Sequence, residues 1–162
     1  MNRITDAFAF ARDDQLLEGT LDIADLERLH DVLTSVDGKF AFRLQGSKGP
    51  RGEPMLHLQV TGQVPLTCQR CLEGIPFELD VDSLLELVPE GSEMSPDELE
   101  DDTRDFLPVA GELKVAELIE DEVLLAIPFA PRHESCGLPG EAEAGERQGP
   151  FAGLASLKGK LN

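Results

Sequence analysis

Phe40-Ala41-Phe42-Arg43-Leu44 and, further on, Leu56-His57-Leu58-Gln59-Val60 obey one rule: every second side chain is large and apolar. A period of two belongs to a strand, because successive side chains of an extended chain point to opposite faces. A third stretch repeats it, with Phe77, Leu79 and Val81 on one face and Glu78, Asp80 and Asp82 on the other. Between the first two stretches lies Gln45-Gly46-Ser47-Lys48-Gly49-Pro50-Arg51-Gly52, rich in chain breakers and expected to loop into solvent. The alternation of the second stretch places His57 opposite the leucines, as a solvated histidine. Together these strands, from about Phe40 to Val88, predict an antiparallel sheet, open or curled into a barrel.

On the N-terminal side, Leu16–Leu21 reads as a further strand ending beside Asp22, a suitable N-cap. Ile23, Leu26, Leu29 and Leu33 then recur at helical spacing, with Asp25 in the first turn. His30 lies beside this stripe and reads as a residue at the core margin. On the C-terminal side a helix is expected over about Leu113–Ala126. Val115, Leu118, Ile119, Val123 and Ala126 form its buried stripe and Glu117, Glu120 and Asp121 face water. Pro128 and Pro131 end it. The expected fold is α+β, one domain over 1–136 with two or three helices on the sheet. Residues 137–162 read as a flexible linker and a short apolar, basic C-terminal tail.

With 162 residues the chain can bury a modest core without staples, and with neither Trp nor Tyr that core is aliphatic plus eight Phe. No run of about 18 apolar residues spans a membrane. The first residues, Met1-Asn2-Arg3-Ile4-Thr5-Asp6, lack the apolar segment of a signal peptide, which points to the cytoplasm. Three cysteines, an odd and low number, suit a reducing compartment.

The net charge is −18, from 14 Lys+Arg against 32 Asp+Glu. Between Glu78 and Glu122 stand 17 acids against Arg104 and Lys114, a net −15. The centre of that segment, Pro89 to Arg104, reads as a mobile acidic loop, and its spacing matches no calcium-binding loop. Nucleic-acid affinity comes largely from cations that displace phosphate counterions, so this composition argues against a non-specific RNA-binding surface. Basic proteins are the natural partners. The acidity also keeps a protein soluble, and charge alone does not choose between the two.

All three cysteines fall in two clusters, Cys68-Gln69-Arg70-Cys71 and His133-Glu134-Ser135-Cys136. Cys68, Cys71, His133 and Cys136 make a Cys3His set, a structural zinc composition. The alternative is a Cys pair packed beside the strands with Cys136 free. The pair sits between two strands, with Pro65 before it and Gly74 and Pro76 after it. Gly74 and Pro76 leave no room for the helix that activates a thiol in exchange chemistry. A tight turn presenting two sulfurs is the geometry of a zinc knuckle. Thiol oxidoreductase chemistry at Cys68 and Cys71 is therefore a lesser reading.

Several segments together resemble the YceD family, the large ribosomal RNA subunit accumulation proteins. They are Val64-Pro65-Leu66-Thr67-Cys68-Gln69-Arg70-Cys71-Leu72, the run Val115 to Pro128, Pro131 with His133 and Cys136, and the ending Pro150-Phe151-Ala152-Gly153-Leu154-Ala155-Ser156-Leu157-Lys158. The tail carries no acid and two lysines, the reverse of the rest of the chain. The resemblance runs from about residue 36 to the end. It implies ribosome biogenesis, in the accumulation of large-subunit (23S) ribosomal RNA, and no catalytic reaction. Set beside the charge, it predicts a non-enzymatic factor whose effect on RNA is indirect, through a basic ribosomal protein or assembly factor. Neither G-x-S-x-G, H-E-x-x-H nor a P-loop is present. A direct RNA-binding module is the other reading, on Arg43, Lys48, Arg51 and Arg70.

Overall fold

The structure is a computed structural model and describes residues 3–93 and 104–137. The centre of the expected acidic loop and the expected linker and tail lie outside the described residues. The order of elements is β1 (Arg3–Ile4), α1 (Ala7–Arg12), β2 (Leu16–Asp22), two 3-10 turns (Ile23–Asp25 and Glu27–Val32), β3 (Lys39–Lys48), β4 (Pro54–Thr67), β5 (Gly74–Pro89), β6 (Asp105–Val109), β7 (Leu113–Lys114) and α2 (Val115–Ala126).

Strands β2 to β6 form one sheet in sequence order. The first four pair antiparallel, as the alternation implied, while β6 joins the edge of β5 in parallel, so the sheet is mixed. It does not close into a barrel: β2 and β6 are its two edges and do not meet. The two-residue strands β1 and β7 pair separately and clip the N-terminus beside the start of α2.

One face of the sheet is the core. Phe40, Phe42 and Leu44 of β3, Leu56, Leu58 and Val60 of β4, and Leu79, Val81, Leu85 and Leu87 of β5 all point into it and are buried. Each such side chain contributes about 1.5–3 kcal/mol on leaving water, before chain entropy is counted. Helix α1 lies across β3 and β4, and α2 across β5 and β4. The other face is left uncovered by the described residues, and there His57 Nε2 stands 2.6 Å from Asp82 Oδ1, while Gln59 donates to Asp82 Oδ2 at 2.9 Å.

Three local expectations change. Ile23–Val32 is not an α-helix but two 3-10 turns. Ile23, Leu26 and Leu29 are spaced by three, and at three residues per turn that spacing puts all three on one inward face. Asp22 caps nothing and instead pairs with Lys39 at 2.8 Å. Leu33, past the second turn, bridges Leu66 of β4. The breaker-rich segment after Gln45 is also shorter as a loop than its composition suggests, since β3 runs on to Lys48 and β4 begins at Pro54.

Gly46 sits inside β3 for a steric reason. A Cβ there would stand 2.6 Å from Ala11 Cα and closer still to the Phe10 carbonyl oxygen. The glycine is where α1 crosses the strand. Helix α1 itself has no counterpart in the sequence reading, being a single six-residue segment whose first turn is capped by Asp6 Oδ1, which accepts from Ala9 N at 2.9 Å.

The helix expected over Leu113–Ala126 is α2, with Leu113 and Lys114 forming β7 before it. Val115, Leu118, Ile119 and Val123 are buried, but Ala126 is exposed and Glu120 is buried rather than facing water. The second 3-10 turn brings Arg28 over Glu120. Its backbone N donates to one carboxylate oxygen and its Nε to the other, both at 2.7 Å, and Nη1 reaches Asp121 at 2.6 Å. A buried carboxylate is tolerated because its lone pairs are filled.

Candidate metal centre

The β4–β5 hairpin is the longest in the sheet, and its tip is Cys68–Glu73. The tip is a closed turn: Cys68 N donates to Glu73 O at 2.8 Å and Leu72 N to Cys68 O at 3.0 Å. Leu72 takes the left-handed conformation, φ 65°, that a glycine adopts freely and a leucine does not. Arg70 N points at the first sulfur, donating to Cys68 Sγ at 3.4 Å.

The second half of the site arrives from the end of α2. Ile127 N makes the last helical bond, to Val123 O, and the chain leaves the helix through Pro128 and Pro131 as an irregular, bent segment. Gln69 N then donates to Pro131 O at 2.8 Å, which brings the next residues against the hairpin tip. Arg70 Nη1 donates to Cys136 O at 2.9 Å and holds the far end of that segment.

All four side chains named from sequence meet. The ligand atoms of Cys68, Cys71, His133 and Cys136 lie within 4.8 Å of one another. Cys68 Sγ is 3.8 Å from Cys136 Sγ, and Cys71 Sγ is 3.3 Å from His133 Nδ1. Sulfurs held tetrahedrally at about 2.3 Å from one zinc stand about 3.8 Å apart, and a sulfur and an imidazole nitrogen about 3.6 Å. Both separations fit a four-coordinate ion. The alternative in which Cys136 stands apart does not describe this structure. Cys68 is fully buried, and the other three are half-buried.

The electrostatics suit a cation. Burial pushes the Cys68 thiol up, but N–H groups of Cys71, Arg70 and His133, with the Cys71 thiol, outweigh it and bring it down to about 5. Burial pushes Cys136 up, and its contacts with Cys68 and Cys71 add to that. One sulfur thus holds negative charge readily while a neighbour keeps its proton, as expected of thiols crowded around a shared point. A low thiol pKa is also what an oxidoreductase needs, but such an enzyme presents its attacking sulfur to solvent, and Cys68 is buried in a hairpin turn with no helix behind it.

Arg70 and Leu72 are the residues that sequence reasoning missed here, the first as a brace for the Cys136 carbonyl and the second as the turn's strained position. Being inside and just after C-x-x-C was their only sequence signal. The other histidines stand elsewhere. His57 is on the open sheet face, and His30 is at the core margin as expected, its Nε2 buried without a partner among the described residues. The four cations offered for an RNA surface do not form one patch. Arg43 pairs with Glu18 and Arg51 with Glu53, while Lys48 stands opposite Pro54 at the start of the 14-residue β4 and Arg70 lies beyond its other end.

Among the described residues, no helix is long and apolar enough to cross a membrane. No solved structure matches the chain. A protein of Haemophilus influenzae named large ribosomal RNA subunit accumulation protein YceD is 28% identical over 149 residues, covering 83% of each chain. The profile of the family described as large ribosomal RNA subunit accumulation protein YceD matches residues 56–158, taking in the β4–β5 hairpin, α2 and all four converging side chains. The hairpin tip and the segment that α2 delivers to it are thus parts of one family pattern, and the chain belongs to the YceD family.

Proposed function

We propose that this protein is a non-enzymatic ribosome-biogenesis factor supporting accumulation of large-subunit (23S) ribosomal RNA, and that it acts by holding a basic ribosomal protein or assembly factor. Membership of a family named for that accumulation is the observation that carries the RNA side. The partner side rests on the distribution of charge. Glu78 and Asp80 line the open sheet face, Glu90 follows β5, and all three are exposed without an ion pair among the described residues. Carboxylates left unpaired in that way attract a cationic partner and repel phosphate. The partner is shielded until it meets RNA. Affinity capture from cells across a salt series tests this reading. Basic ribosomal proteins retained at low salt and released at high salt are expected, and retention of none even at low salt overturns it.

The second element of the reading is zinc, held by Cys68, Cys71, His133 and Cys136 as a structural clamp. The donor set and spacing support it. When bound, the ion supplies a cross-link between the hairpin tip and the segment after α2. Protein purified without added metal is expected to carry one zinc per chain, and Cys71→Ser to lose it while the sheet's circular dichroism persists. A stoichiometry near zero in the unmodified chain sinks the site.

A further inference from the structure

The three sulfurs of the centre are not equivalent. Cys68 is fully buried, while Cys136 is half-buried and reaches solvent. Their Sγ atoms lie 3.8 Å apart, and the third sulfur, Cys71, faces the imidazole of His133. An accessible sulfur beside a sheltered one is the arrangement of an attacking and a resolving cysteine. We propose that Cys68 and Cys136 form an oxidation site. A hydroperoxide converts them to an intramolecular disulfide, which takes over from the metal the tie between the β4–β5 tip and the segment after α2. The metal-bound starting state rests on the zinc reading above; the choice of sulfur pair does not.

The chemistry closes without a further reactant. Cys136 gives its proton to solvent as its sulfur attacks the peroxide O–O bond, forming a sulfenic acid and releasing one oxygen as hydroxide, or as an alkoxide from an organic hydroperoxide. The Cys68 thiolate then attacks the Cys136 sulfur, the S–S bond forms, and the sulfenic oxygen leaves as hydroxide. Two sulfurs have lost two electrons, the peroxide has gained them, and solvent protons neutralise both leaving oxygens. Where the four side chains hold a zinc, the loss of two ligands would release it as the aqua ion, and Cys71 would take a proton from solvent.

Geometry favours this pair over Cys68 with Cys71. A disulfide needs the sulfurs to close to about 2.05 Å, so one backbone has to follow. Cys136 lies in an irregular stretch beyond two prolines, held at its own carbonyl by Arg70. Cys68 and Cys71 share one turn closed at both ends by backbone hydrogen bonds. The outcomes differ as well. A bond between residues 68 and 136 joins the two segments that the metal joined, so the end of α2 stays docked after the metal leaves. A bond within the turn joins neither to the other.

The test uses the full chain as purified, titrated with hydrogen peroxide. Disulfides are mapped by peptide mass analysis without reduction, thiols counted, and released zinc read with a chromogenic chelator. Expected are one linkage, Cys68 to Cys136, one remaining thiol at Cys71, and one zinc released per linkage, all reversed by a dithiol reductant. Cys71→Ser is expected to form the same linkage. A linkage mapped to Cys68 and Cys71, overoxidation of Cys136 with no linkage, or three thiols intact where free cysteine is consumed overturns the proposal. If the purified chain carries no zinc, the zinc reading fails by itself. The map still decides, because the 68–136 linkage in the metal-free chain upholds the pair and any other result removes it.

Discussion

Asp82 shows how much a single residue's setting adds to its identity. Sequence places it on the outer face of β5, and pairing in register with β4 puts Gln59 directly opposite and His57 two residues along. Its carboxyl is held below the usual range by the Gln59 amide first and the His57 ring second. A carboxyl depressed on folding stabilises the fold above its ordinary value of about 3.9, and that contribution disappears as pH falls through the lower folded value. Titration followed by carboxyl NMR is expected to place the Asp82 midpoint below that of an unfolded aspartate. Gln59→Ala is expected to raise it further than His57→Ala does. Equal or reversed effects would contradict the assigned order of causes. Leu72 illustrates the opposite limit. No local signal marks a leucine as left-handed, because the requirement comes from the turn that brings Cys68 and Cys71 to one side.

At the scale of elements, periodic patterns were read well where one face alone was buried. Strands β3 to β5 and α2 carry most of their apolar residues on a single side, so alternation or a helical stripe sufficed to place them. The stretch Ile23–Val32 was harder, since a spacing of three suits a 3-10 turn and is also contained in a helical stripe. Strand β6 was invisible for a different reason: its parallel partner is the far end of β5, and the pairing is all that distinguishes Asp105–Val109 from a loop. Gly46 read as a breaker because its packing partner, α1, was not foreseen. The helix backbone now makes a test. Gly46→Ala forces α1 off β3 or bends the strand, and is expected to cost about 1–3 kcal/mol in urea unfolding. An unchanged midpoint for Gly46→Ala would mean that the crossing is looser than described.

Over the whole molecule, contacts between distant segments give α2 its position. Arg28 holds Glu120 and Asp121 across 92 and 93 residues of sequence, Ser83 donates to Glu122, and the hairpin tip holds the segment beyond the helix. Arg28→Ala strips Glu120 of its side-chain partner inside the protein, so a lower thermal midpoint is expected. Arg28→Lys is expected to recover only part of the loss, because an ammonium lacks the planar fork that serves two carboxylates. Full recovery with lysine would reduce the contact to simple charge pairing. The same long-range placement separates what each source of information decided. By itself the sequence determined the faces of the strands, the buried stripe of α2, the excess of acid and the Cys68–Cys71 turn, because these follow from the sterics of neighbouring residues. Only the tertiary structure decided that the sheet stays open, that Glu120 is buried under Arg28, and that His133 and Cys136 reach the first pair of sulfurs. Those outcomes depend on chain segments that meet only when the hydrophobic face of the sheet is covered, and no local pattern encodes the meeting.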